Sequence, residues 1–169
     1  IDEEKKDLKN ELEAKKNTLK KIELIISDLY KNKNESKKRE KELELIRAKK
    51  NKSTTGNFSK MRGKLPWPSE GNIINEFGLH KNKKLNTTYE NIGVDIKTPF
   101  KSNVNAVVDG VVTVQASIEE YNSSSNIIII RHGDGYITVY KNIENIKVQK
   151  GDYVSTGENI GNVSPNSSN

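Results

Sequence analysis

The sequence contains no cysteine. Disulfides, thiolate zinc sites and cysteine nucleophiles are therefore excluded. Histidine is almost as scarce, with two residues, and tryptophan and methionine occur once each. Neither H-x-H nor H-E-x-x-H is present, and a catalytic zinc needs three protein ligands and an open position. G-x-S-x-G, the P-loop and the dinucleotide fingerprint are also missing. No apolar run is long enough to span a bilayer. Apolar residues make up 32% of the chain and charged residues 31%, which is thin for one globule of 169 residues. The average conceals a mixture of a Lys- and Glu-rich N-terminal third and an ordinary β-forming remainder.

The net charge is +6. Nucleic acid is not the expected partner. Lys alternates with Glu as on a solvated helix, and aromatic residues do not interleave with it.

Residues 1–31 carry an apolar heptad. Ile1, Leu8, Ile22 and Leu29 share one position, and Leu12, Leu19 and Ile26 share the other. Lys5 and Lys15 weaken that narrow seam, which reads as a coiled coil capable of self-association. The pattern lapses in YKNKNES (30–36) and helix resumes over 35–50, with Leu43 and Ile46 apolar. One interrupted helix is favoured over an antiparallel pair. The domain reading is a coiled-coil helical arm at 1–50, a linker at 51–68 containing Gly56, and a β domain at 69–169. Trp67, between Pro66 and Pro68, is expected to pack on the edge of that domain. The chain begins at Ile1 and not Met, so it reads as a fragment, with its C-terminal end truncated.

From residue 72 the pattern has the period of strands. VNAVVDGVVTVQAS reads as a hairpin turning on Asp109-Gly110. NIIIIRHGDGYITVYKNI reads as another, turning on Gly133-Asp134-Gly135. The run Ile127–Ile130 predicts a strand covered on both faces. Short strands with frequent turn signals give an all-β barrel or sandwich after the arm, an α + β chain with its two parts separate. NSSSN (122–126) reads as a loop.

Candidate chemistry is sparse. Asp95 sits in the strand-like GVDI, with Asn91 four residues before it. His132 beside its glycine turn reads as structural, and His80 in FGLHKNKK as a solvated loop residue. Glu119, Glu120 and Asp134 are carboxylates expected at hairpin loops. VQKGDYVSTGENIG is similar to the hairpins of lipoyl and biotinyl carriers, but no methionine-flanked Lys is present to be modified.

Five segments in order, EFG, NIGVDIKTPF, VNAVVDGVVTV, NIIIIRHGDGYITVYKNI and VQKGDYVSTGENIGNV, resemble the LytM domain. This is the lysostaphin-like family of zinc peptidoglycan endopeptidases and their inactive relatives. The helical arm and KLPWP are similar to the EnvC-type murein hydrolase activators. The resemblance implies zinc ligands in His-x-x-x-Asp and a catalytic His in Tyr-x-His. Here those segments are Asn91-Ile-Gly-Val-Asp95 and Tyr140-Lys141-Asn142. The final His-x-His of active members is absent from the sequence. The implied function is a non-catalytic activator of an N-acetylmuramoyl-L-alanine amidase in a bacterial cell envelope or periplasm, without a cofactor or metal. Its implied partners are that amidase, a membrane division complex and peptidoglycan. Asn91, Asp95, Tyr140, Asn142 and His80 would line the docking groove. An active endopeptidase is the alternative.

Overall fold

The structure, a computed structural model, describes residues 2–50, 58–120 and 123–165. Ile1 of the heptad, residues 51–57 of the expected linker and the last four residues lie outside that set.

Two helices open the chain, α1 at Asp2–Lys31 and α2 at Lys33–Lys49. No Gly or Pro interrupts α1, and Asp2, Glu3 and Glu4 place negative charge at the positive end of its dipole. The lapse expected at 30–36 is a break at a single residue between the two helices. Asn32 breaks the helix with extended backbone, φ −101° and ψ 92°. Its side chain accepts from Glu35 N at 3.2 Å and caps α2. Across the elbow, Ser36 Oγ donates to Leu29 O at 3.3 Å.

Eleven antiparallel strands follow among the described residues. β1 (Asn72–Asn75) pairs β4 (Asp95–Lys97), and β2 (Gly78–Asn82) pairs β3 (Thr87–Asn91). β5 (Asn103–Asn105), β11 (Asn159–Val163) and β9 (Ile143–Glu144) form a three-stranded sheet. β10 (Tyr153–Val154), β6 (Gly110–Glu120), β7 (Ser123–Gly133) and β8 (Tyr136–Lys141) form the largest sheet, in that order.

Ile127–Ile130 are completely buried, as the unbroken apolar run predicts. Alternation along the strand sends them two ways. Ile128 and Ile130 join Val112, Ile143, Val154 and Ile160 in the main core. Ile127 and Ile129 join Ile118 and are covered by Ile22, Ile25, Ile26 and Leu29 of α1. The C-terminal half of the heptad seam thus packs on a sheet, not on a second helix. Full burial of one such isoleucine contributes about 1.5–3 kcal/mol, which favours docking.

Three local readings are corrected. Asp109-Gly110 is not a hairpin turn, because β5 pairs with β11 and Gly110 already begins β6. Glycine is needed there for close approach: a Cβ would lie 2.4 Å from Arg131 O. Ser123–Asn126 belong to β7, where cross-strand bonding to β6 organises a polar run that looks like a loop. Trp67 does not pack away; it remains 62% exposed. The β7–β8 turn is as expected, with Asp134 and Gly135 at φ +51° and +78°, the two left-handed residues of a type I′ turn.

Candidate functional site

The pairing of β1 with β4 sets Asn75 opposite Asp95 beside a bulge. Asn75 Nδ2 donates to Asp95 Oδ2 at 3.0 Å. The pairing of β2 with β3 sets Gly78 opposite Asn91 and His80 opposite Tyr89. Asn91 then turns its side chain onto the connection between β1 and β2, where Nδ2 donates to Glu76 O at 3.1 Å. His80 Nε2 lies 2.7 Å from the same carbonyl, so Nε2 carries the proton and donates. The ring stacks on Tyr89 at 5.4 Å. His80 is thus a strand residue, not a loop residue. Asn91, Asp95 and His80 converge on Asn75-Glu76, a dipeptide not singled out in the sequence.

The other two candidates stand apart from this group. Tyr140 is in the main core, 7% exposed, and its Oη accepts from Val107 N at 3.0 Å. Burial pushes its phenol above the ordinary value. Asn142 has φ +61°, a left-handed conformation that Asn tolerates better than most residues. Ser125 Oγ donates to Asn142 Oδ1 at 2.7 Å and accepts from Asn142 N at 3.0 Å. Among the described residues no hydrogen bond joins this pair to the Asn75-Glu76 group.

This donor set does not fit a zinc ion. It offers one carboxylate already accepting from an amide, two neutral amides spent on protein oxygens, and an imidazole whose Nε2 proton is committed. Amide oxygens are poor zinc ligands beside imidazole and carboxylate. Among the described residues no group of three His, Cys, Asp or Glu is placed to hold a metal.

A second polar assembly was missed in the sequence. Arg47 of α2 and Asp109 are 7% and 5% exposed, and Arg47 Nε donates to Asp109 Oδ2 at 2.8 Å. Arg47 Nη2 donates to His132 O at 2.9 Å, and Tyr153 Oη donates to Asp109 Oδ2 at 2.9 Å. Burial, then the bond to Asp109, pushes the Tyr153 phenol up to about 12. His132 is fully buried and structural, as expected. Its Nδ1 donates to Asp109 O at 2.8 Å, which leaves Nε2 to accept from Thr138 Oγ1 at 2.8 Å. Burial lowers its pKa and keeps the ring neutral. Phe58 stacks on it at 5.2 Å, so this part of the expected linker lies against the β sheet. The remaining carboxylate candidates are at strand ends or turns. Glu120 ends β6 and pairs with Lys141, and Asp134 occupies the β7–β8 turn.

Residues 89–169 match peptidase family M23. The chain is 28% identical over 102 residues to cell division protein DipM of Caulobacter vibrioides, covering 60% of this chain and 16% of that protein. It is 30% identical over 95 residues to murein hydrolase activator NlpD of Escherichia coli K12, covering 56% of this chain and 22% of that protein. A zinc containing peptidase from Vibrio cholerae superposes with a TM-score of 0.50 at 26% identity, over 58% of this chain and 31% of that one. The matched segment therefore spans under a quarter of each curated relative. The ordered motifs, the small antiparallel sheets and these matches together show that residues 89–169 form a domain of the peptidase family M23, or LytM, type.

Proposed function

We propose that this chain is a non-catalytic activator of a peptidoglycan hydrolase, with an N-acetylmuramoyl-L-alanine amidase as its target. The observation that carries the reading is the pair Asn91 and Asn142. Both stand where the family resemblance puts imidazoles, and both spend their side chains on hydrogen bonds within the fold. Neither is poised to bind a metal or move a proton. The similarity to a murein hydrolase activator and a cell division protein supports the same reading. It also favours a cell-envelope location and a division complex as the second partner.

The docking surface we favour is the rim around Asn75-Glu76, with Asn91, Asp95 and His80. Exposed Phe77, Leu79, Ile92 and Val94 neighbour those residues in the chain and add apolar area. Polar groups ringed by exposed apolar side chains suit protein docking. Asn142 would extend this surface from a separate sheet. Tyr140 would support it from the core.

The test is release of dye-labelled peptidoglycan by this protein alone, by a cognate amidase alone, and by both. Release well above the amidase baseline only in the combined reaction is expected. Release by this protein alone would overturn the reading in favour of an endopeptidase. Combined release equal to the amidase baseline would remove the activator role.

A further inference from the structure

Residues 65–71 read Leu-Pro-Trp-Pro-Ser-Glu-Gly, and the fold pins them at three points. Leu65 packs on the main core. Pro68 O accepts from Asn105 N at 2.7 Å. Gly71 is pressed against β4, where a Cβ would lie 2.3 Å from Lys97 O. Two prolines stiffen the backbone between those anchors. The indole of Trp67 is nevertheless 62% exposed. A large apolar ring carried into solvent on an anchored backbone is a ready stacking face, with little backbone entropy left to lose on binding.

Trp67 borders an open recess of about 930 Å³, near the upper end for small-ligand sites. Its walls include Glu70, Asn72, Ser102, Asn103 and Asn105. Among the described residues no Lys or Arg lines it, although the chain has 29 of them. Phosphate and nucleic acid recognition relies on those cations, so an anionic ligand is disfavoured. The Asn72 amide and Glu70 carboxylate have no hydrogen-bond partner among the described residues. Ser69 Oγ in the wall is likewise unpaired.

We propose that this recess binds a neutral saccharide chain. The C–H face of one sugar ring would stack on the Trp67 indole. Its hydroxyl and acetamido groups would bond to the amides of Asn72 and Asn103 and to the Glu70 carboxylate. The recess meets β1 at Asn72, whereas the candidate docking group begins at Asn75, roughly 10 Å further along the strand. The two surfaces are neighbours and need not share a ligand.

Trp67 is the only tryptophan, so its emission reports the site directly. The full chain would be titrated with chitotetraose, cellotetraose and tetra-alanine, without any amidase, so that the outcome is independent of the activator reading. A saturable blue shift with chitotetraose is expected. Binding of both saccharides supports recognition through hydroxyls, and binding of chitotetraose alone adds recognition of the acetamido group. By calorimetry, Trp67→Ala should weaken binding by about tenfold or more and Asn72→Ala by roughly threefold or more, with thermal midpoints unchanged. No saturation by either saccharide up to about 10 mM overturns the proposal. So does saturation by tetra-alanine alone, or saccharide affinity unaltered in both variants.

Discussion

Replacing Arg47 by Met tests how firmly the helical arm is held. The guanidinium is 7% exposed and Asp109 is 5% exposed, at 2.8 Å from each other. Met keeps most of the volume but removes the charge and the donors to Asp109 and His132 O. Among the described residues Asp109 would then be a buried carboxylate accepting only from Tyr153 on its side chain. Removing one partner of a buried pair costs about 3–5 kcal/mol, and the retained tyrosine bond argues for about 3. For 169 residues each kcal/mol moves the thermal midpoint by about 2–4 °C, so a fall of about 6–12 °C is expected. Urea unfolding followed by far-ultraviolet circular dichroism measures the loss directly. Asp109→Asn should cost a similar amount, because it strands the cation. The double variant should be more stable than the summed losses imply, by at least about 1 kcal/mol. An Arg47→Met loss below about 0.5 kcal/mol, or strict additivity in the cycle, would refute the packed arm described here.

Two further outcomes follow from the same region. His132 is neutral and buried with a lowered pKa, whereas the unfolded ring takes up a proton near 6.5. The unfolded state therefore binds more protons below that value, and stability should fall as pH drops from about 6.5 through the lowered folded value, with no contribution above it. Urea midpoints measured across this range should slope for the parent and slope less for His132→Gln; equal slopes would locate the acid sensitivity elsewhere. Gly110→Ala would place a methyl 2.4 Å from Arg131 O and 2.9 Å from His132 Nδ1. A loss of about 3 kcal/mol or more is expected, read as a lowered thermal midpoint, and an unchanged midpoint would contradict the close strand approach.

Much of the fold is legible because its signals are local. The heptad gives helix over α1, and the Asp134-Gly135 turn gives the β7–β8 hairpin. The four consecutive isoleucines announce a strand buried on both faces. Other features depend on partners remote in the chain. Asp109-Gly110 has the composition of a turn, but Gly110 is required by the backbone of Arg131. Asn32 looks like an interruption of one helix; only its extended backbone and its bond to Glu35 N make it the cap of a second. The LytM-like segments single out Asn91 and Asp95, and these meet at Asn75-Glu76 together with His80, which lies outside those segments. Tyr140 carries the same motif signal yet is turned into the core, which a Tyr-x-Asn spacing cannot reveal. Asn75 carries no signal of its own and becomes the partner of Asp95 through strand register.

The sequence by itself determined the order of helices then strands, the ordered LytM-like segments, and the amides that stand at positions 91 and 142. Those properties reside in local pattern and residue identity. Tertiary structure alone decided what covers the second face of β7, that Arg47 and Asp109 are buried against each other, and that Trp67 faces solvent beside a recess with no Lys or Arg among its described lining residues. Each of these depends on which distant segments meet. An amphipathic helix is equally able to bury its seam on another helix or on a sheet, and only the packed chain selects between them.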